Sequence, residues 1–459
     1  MTHSTLTTLR TFGRGGIHPD PHKRETATRA IENVPPPPEV WLPLSQHIGE
    51  PATPIVVKGD MVKRGQKIAE GGVTGVPIHA TISGKVKPID RRPHPTLVNA
   101  PAIVIAASGE FAELEYSEDS DWRRVAKDEA LARIKEAGIV GLGGAAFPTY
   151  RKLQLPLNAT VDTLVMNGAE CEPYLTSDYR TMLERPREVV EGALAMARLL
   201  EVPRVLLGIE SDKLGAVPGL EAAGRDARRD AAHARVHDVT FEVVPCEVRY
   251  PQGAEKQLVE SLTGRRVPAR ALPLAVGVVV QNVATAIAVY EALRFGKPLL
   301  DRVVTVTGPG VIEPRNLRVP IGTLLTHVVA ACGGLSEDTT RIVAGGPMMG
   351  RTLPRLDLPV VKGLNGLVFL TGRGPLEQGF GPCISCGRCL DACPLGLEPD
   401  QVSIRLEVGR TLDTEAYGPL DCYECGACSY VCPSGRPLMQ FMQVAKSALR
   451  RAGELKIVR

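Results

Sequence analysis

The sequence predicts a multidomain α/β protein, and three observations carry that expectation. Its 459 residues exceed what a single hydrophobic core serves. The texture of the chain changes along its length, from short β-type runs, to alternating strands and helices, to a cysteine-dominated tail. In that tail, cysteines occur in two copies of one spacing.

Residues 1 to about 34 are polar and rich in Arg and His, and the prolines at 35–38 make a stiff, extended linker. Residues 50–107 alternate short Val/Ile runs with Gly-Asp, Arg-Gly and Ser-Gly turns, the pattern of a small all-β unit, so 1–120 is assigned as an N-terminal segment and a β-sandwich domain. The unit resembles the biotinyl/lipoyl-type sandwich. A carrier domain of that type needs a lysine on its exposed hairpin, but Lys67 and Lys85 bracket the stretch with none between them, which favours a structural role.

From 121 to 300 the apolar runs VDTLVM, RVLLGI, TFEVVP and LAVGVVV alternate with helical stretches such as the one at 128–137. That alternation implies a largely parallel sheet buried on both faces. Residues 301–374 read as a small β-grasp-like α+β unit, with a helix at 321–332 among strands VVTVTG, RIVAGG and GLVFL. Residues 375–459 form an α-helical, cysteine-rich domain ending in an amphipathic basic helix, MQFMQVAKSALRRAGELK, expected to pack against it. The run at 225–238 reads as a solvated helix face.

The 54 basic and 51 acidic side chains nearly balance, so no nucleic-acid partner is expected. The most apolar stretch, 271–290, contains a proline and is broken by Gln281 and Asn282, so it reads as strand, turn and helix rather than a membrane span. The N-terminus has no apolar core of a leader, which points to the cytosol, where cysteines serve metals or catalysis more often than disulfides.

Cys383, Cys386, Cys389 and Cys393-Pro394 form one run; Cys422, Cys425, Cys428 and Cys432-Pro433 repeat it. Thiolates at i, i+3 and i+6 on a tight loop hold three irons of one cubane. In two-cluster ferredoxins the fourth cysteine of each run ligates the opposite cluster. Cys383, Cys386, Cys389 and Cys432 are therefore assigned to one [4Fe-4S] cluster, and Cys422, Cys425, Cys428 and Cys393 to a second. Structural zinc is the alternative, but zinc sites more often use separated pairs, and zinc explains neither the repeat nor the prolines. Cys171, Cys246 and Cys332 stand alone, Cys332 as a core residue. His18 and His22 lack partner ligands in the sequence and suit a surface or an interface.

Residues 141–153, GLGGAAFPTYRKL, satisfy G-x-G-x-x-A, a weak signal. The loop follows a helix and opens another, unlike a simple Rossmann turn, so its glycines suit a phosphate or an isoalloxazine ring approached by backbone. Further along come NGAECEPYLTSDYRTMLERP at 167–186, YPQGAEKQL at 250–258 and QNVAT at 281–285. In order and spacing these motifs resemble the flavin- and NADH-binding subunit of respiratory complex I. They are closer still to the RnfC family, the C subunits of the Rnf (Rsx) electron-transport complex, which adds a two-cluster ferredoxin tail and a GGIHP segment, present here at 15–19.

The resemblance implies FMN against Gly141, Gly143 and Gly144 with Lys152 near its phosphate or ring, in a pocket completed by Asn167, Glu170, Gly253, Asn282 and Thr285. It also implies NAD(H), with Phe147 stacking on nicotinamide or adenine and Glu172 and Glu255 bonding the dinucleotide. Ordinary packing of Phe147 and Tyr150, and a solvated helix start for Glu255, are the plain alternatives. The chain departs from the complex I pattern at Leu142, Ala146, Ala169 and Ala254, where Arg, Gly, Asp and Glu are usual.

By the same resemblance, hydride from NADH would reach FMN and electrons would leave singly through the clusters, with no catalytic acid or base. The implied partners are the other subunits of a membrane-bound complex and ferredoxin or flavodoxin as end acceptor. The implied location is peripheral, on the cytoplasmic face of the bacterial inner membrane. Two other readings stay open: a soluble corrin (cobalamin) reductase, and a passive relay with a degenerate flavin site.

Overall fold

The computed structural model describes residues 8–109, 112–233, 239–372, 374 and 379–457. The side chains of 231–233 and 454–457 are outside that description, as are the end of the charged run at 234–238 and the junction at 375–378.

Apolar residues from both faces of the first domain close a small core. One sheet runs Glu39–Pro43, Val98–Ala107, Gly84–Val86, Met61–Val62, with Asp90–His94 also on Val98–Ala107; the other runs Thr53–Pro54, Lys67–Glu70, Ile78–His79. Val40, Leu42, Val62, Ile68, Val86, Ile103 and Ile105 fill the space between.

The central domain holds four parallel strands in the spatial order Thr240–Cys246, Arg204–Glu210, Thr163–Asn167, Val278–Asn282. Side chains alternate faces with the pleat. Leu164, Met166, Val205 and Leu207 meet Val189, Met196 and Ile287, whereas Val165, Leu206, Val278 and Val280 meet Leu258 and Leu262. Both faces are thus dry along Arg204–Glu210, Thr163–Asn167 and Val278–Asn282, whereas the edge strand Thr240–Cys246 leaves Thr240 and Glu242 exposed. Helices Pro186–Leu200 and Val283–Phe295 approach so closely that a side-chain carbon on Gly192 would lie 1.9 Å from the Ala286 carbonyl oxygen.

The α+β unit is a six-stranded mixed sheet with helix Leu325–Ala330. Its edge strand, Ile31–Asn33, comes from the N-terminal segment and pairs in parallel with Arg315–Pro320. Ordering that segment before the polyproline stretch was not legible from its polar composition. Lys362 sits where three units meet: its Nζ donates to the carbonyls of Pro77 (3.0 Å) and Gly138 (2.7 Å). Complete burial pulls this amine down to about 7.

The tail comprises helices Arg388–Ala392, Pro399–Glu407, Ala427–Tyr430 and Leu438–Ile457. The last buries Met442 and Ala445 against Val402 of Pro399–Glu407, as its amphipathic pattern predicts. Among the described residues no helix is long and apolar enough to cross a membrane.

Candidate functional site: a glycine-loop pocket and two cysteine sets

The order of strands along the chain switches direction between Thr163–Asn167 and Val278–Asn282, and there Asn167 and Asn282 pair in register at the carboxyl ends. A crevice at such a switch point is where open α/β sheets take ligands. Asn282 caps the helix that follows, accepting from the amides of Ala284 (2.9 Å) and Thr285 (3.4 Å), and donates to Asp178 at 2.7 Å. Asn167 donates to the carbonyl of Gly253 (2.8 Å) and accepts from the amide of Ala169.

The loop Gly141–Phe147 lies over this crevice. It closes on itself through Gly141 N–H to Phe147 O (2.8 Å) and Ala146 N–H to Gly141 O (3.2 Å). Three elements pin it. Leu142 donates to Thr285 Oγ1 at 2.9 Å, buried Arg302 donates to the Leu142 carbonyl at 2.8 Å, and Ile48 of the sandwich donates to the Ala146 carbonyl at 3.1 Å. A side-chain carbon on Gly143 would stand 3.4 Å from Asn282 Cβ, whereas Gly144, at φ +111°, faces open space. The loop therefore presents bare backbone on one side and is braced on the other, which fits the close approach of a planar ring. The helix it opens is one short piece, Thr149–Leu153.

Lys152 pairs with Glu255 at 2.5 Å, both part-exposed, so the pair adds little stability but sets a cation beside the crevice. Phe147 leaves 38% of its surface open, and Gly253 donates to Cys171 Sγ at 3.2 Å.

The two remaining expected carboxylates are already engaged. Glu170, at φ +46°, accepts from Ser177 Oγ, Asp178 N and Tyr179 N, capping helix Ser177–Glu184. Glu172 accepts from the amides of Met348 (3.1 Å) and Met349 (2.8 Å), and burial lifts its carboxyl to about 7. Each retains acceptor lone pairs beyond these bonds.

Three residues of the site escape a reading of the sequence: Asp178, Arg302 and Lys23. Burial, reinforced by nearby Glu170, raises Asp178 to about 7, and burial lowers Arg302 to about 10. Lys23 reaches from the N-terminal segment to the Glu170 carbonyl, and burial lowers its amine. The one signal for Arg302 is a cation at the head of the β-type run of strand Asp301–Thr307.

The cysteine runs fold as duplicates. Ser385 (φ +52°) and Gly387 (+75°) turn the first loop; Glu424 (+65°) and Gly426 (+78°) turn the second at matching positions. The amides of Ser385 and Glu424 donate to Cys383 Sγ (3.5 Å) and Cys422 Sγ (3.3 Å), and Leu397 donates to Cys393 Sγ (3.3 Å). Cys383, Cys386, Cys389 and Cys432 line one cavity together. Cys393 lies within electrostatic reach of Cys422, Cys425 and Cys428. Two four-thiol sets with N–H groups aimed at sulfur suit iron–sulfur cubanes.

The two sets differ in placement. Tyr250 Oη donates to the Cys425 carbonyl (2.7 Å) and Tyr423 Oη to Gln257 Oε1 (2.9 Å), so the Cys422 set lies against the central domain. Cys386 and Ile384 of the other set are exposed. Cys246 and Cys332 are buried core residues. His18, itself exposed, bonds the Val248 carbonyl (2.9 Å) and His22 stacks on Tyr174, both contacts between the N-terminal segment and the central domain.

Four family models match in chain order: the RnfC barrel sandwich hybrid domain at 11–110, the Nuo51 FMN-binding domain at 134–291, the SLBB domain at 303–352 and the 4Fe-4S dicluster domain at 382–436. FMN and two [4Fe-4S] clusters are accordingly the cofactors of the chain. Among solved structures, a chain of an NAD+-reducing [NiFe]-hydrogenase in the H2-reduced state superposes with TM-score 0.52 at 21% identity, covering 71% of this chain and 63% of that one, a likeness of fold. Among curated relatives, the C subunit of the proton-translocating ferredoxin:NAD(+) oxidoreductase complex of Clostridium ljungdahlii is 43% identical, covering 97% of this chain and 95% of the relative. The C subunit of the ion-translocating oxidoreductase complex of Rhodobacter capsulatus is 44% identical (95% and 83% covered), and that of the Na(+)-translocating ferredoxin:NAD(+) oxidoreductase complex of Acetobacterium woodii 39% (96% and 98%). With such relatives aligned along nearly its whole length, the chain belongs to the RnfC family, the C subunits of ion-translocating oxidoreductase complexes.

Proposed function

We propose that this chain is the NADH-oxidising subunit of such a complex, working peripherally on the cytoplasmic face of the membrane, with ferredoxin or flavodoxin as the end acceptor. When bound, FMN supplies the conversion between a hydride and single electrons, and the clusters carry those electrons one at a time. Gly141, Gly143 and Gly144 would expose backbone to the flavin, with Asn167, Gly253, Asn282 and Thr285 shaping the crevice and Lys152 supplying a cation. Phe147 and Glu255 would receive the dinucleotide at the open side. Glu170 and Glu172 would hold the loop after Asn167 and offer their remaining lone pairs.

The observation that carries this reading is the juxtaposition of the Cys422, Cys425, Cys428 and Cys393 set with the central domain through Tyr250. That set would take electrons first, and the exposed set of Cys383, Cys386, Cys389 and Cys432 would hand them on. Mixing anaerobic, cluster-loaded protein with NADH or NADPH tests it: NADH bleaches the flavin and then the clusters. A flavin that stays oxidised would sink the reading.

A further inference from the structure

Residues 10–23 supply no cluster thiolate, yet they bind both partners of the crossing between flavin pocket and clusters. On the central-domain side, Arg10 donates to the Pro245 carbonyl (3.0 Å), the Glu247 amide donates back to the Arg10 carbonyl (2.9 Å), and Ile17 and Tyr250 exchange two amide–carbonyl bonds of 2.8 Å. Arg249 stacks on the ring of Phe12 at 4.4 Å and donates to the carbonyls of Phe12 (2.8 Å) and Gly15. Phe12 is 1% exposed, an anchor that a loose arm would not bury.

On the cluster side, Gly16 donates to the Ala392 carbonyl at 2.9 Å. Gly15, at φ +69°, lies so close to the first cysteine run that a side-chain carbon there would stand 2.5 Å from the Cys393 carbonyl carbon and 2.6 Å from Pro394 N. Tyr250, held on its backbone by Ile17, reaches Cys425 with its hydroxyl. At the far end Lys23 holds Glu170, which caps the helix bearing Asp178, the partner of Asn282. A single strip of chain thus fixes the Cys393–Cys425 edge of one cysteine set and the floor of the crevice.

We propose that residues 10–23 form a positioning clasp that sets the gap between the flavin pocket and the Cys393/Cys422/Cys425/Cys428 cluster, and hence the rate of electron crossing. This rests on the function proposed above. In each crossing one electron leaves the reduced flavin and one cluster gains it. After the second, the flavin gives up its proton to water, and no bond to the clasp forms or breaks.

Gly15→Ala, Arg249→Met and Arg249→Lys in the full-length, cofactor-loaded chain test the clasp. Iron content and the rate of flavin bleaching by NADH should match wild type, while cluster reduction slows on the order of tenfold, the scale of cost expected for a small misplacement. Arg249→Lys should recover part of the loss. Hydrogen exchange at the amides of Gly16, Ile17 and Tyr250 should accelerate together, with strand Thr163–Asn167 unchanged. Photoreducing the flavin in place of NADH delivers electrons whether or not the nucleotide binds, so failure of the NADH reading is told apart from failure of the clasp. Cluster reduction at the wild-type rate in both Gly15→Ala and Arg249→Met overturns the proposal. So does an equal slowing of flavin and cluster steps.

Discussion

The carboxamide of Asn282 joins two helices that start at the crevice: its oxygen caps Val283–Phe295 while its nitrogen holds Asp178, in the first turn of Ser177–Glu184, at 2.7 Å. Both groups lie below the glycine loop, so the pocket floor depends on a single side chain that offers a donor and an acceptor at once. Asn282→Ala removes the cap, worth ~1–2 kcal/mol, and strands a buried carboxyl. Thermal unfolding should shift downward, and the variant should lose FMN on gel filtration. Asn282→Asp should not rescue binding at pH well above 7, where its carboxylate faces that of Asp178.

Thr285 Oγ1 accepts from the Leu142 amide, a buried donor in the glycine loop. Thr285→Val keeps the shape and orphans that amide, costing about 1–3 kcal/mol locally. FMN affinity measured by fluorescence quenching should weaken, and Thr285→Ser should restore it. Equal affinity in the Thr285→Val and Thr285→Ser variants would show that the loop is held by its other contacts.

Cysteine variants test the two ligand sets. Cys386→Ala or Cys432→Ala should each remove the same cluster and leave about four of about eight irons. Cys425→Ala and Cys393→Ala should remove the other. With NADH as donor, the first pair should leave the remaining cluster reducible, whereas the second pair should interrupt supply to the exposed set. Anaerobic iron analysis and low-temperature EPR read both outcomes.

Lys362 gives a pH signature. Its folded-state amine, near 7, lies below the ordinary 10.5, so the unfolded chain binds more protons across that interval. Stability contributed at this residue must therefore rise as pH climbs from about 7 towards 10. Denaturant midpoints of wild type minus Lys362→Met should increase over that range. A flat or falling difference would contradict the buried, proton-poor amine.

Much of this architecture is written in local pattern. Three strands of the central sheet, Thr163–Asn167, Arg204–Glu210 and Val278–Asn282, are legible because burial on both faces demands nearly unbroken apolar runs, and the cysteine repeat because a cubane dictates spacing. Gly141–Gly144, Asn167 and Asn282 can be picked out as a group from motif order. What the sequence concealed is long-range. Glu170 and Glu172 read as ligand carboxylates, but their bonds to the amides of Asp178, Tyr179, Met348 and Met349 appear only once distant loops meet. Arg302 and Lys23 stand beside other charged residues in the sequence, and their burial depends on separate units closing around them, which no window of sequence encodes. The segment before the polyprolines looked like a polar arm because its contacts are mostly made by backbone, which carries no residue-type signal.

The edge strand Ile31–Asn33 and the Gly15 contact with Cys393 have a consequence for biosynthesis. These residues leave the ribosome long before the surfaces that receive them are made. Residues 10–17 can dock on Pro245–Tyr250 once the central domain is made, but the strand Ile31–Asn33 waits for Arg315–Pro320 and the Gly15 contact for Cys393, so final locking of this molecule is a late, long-range event.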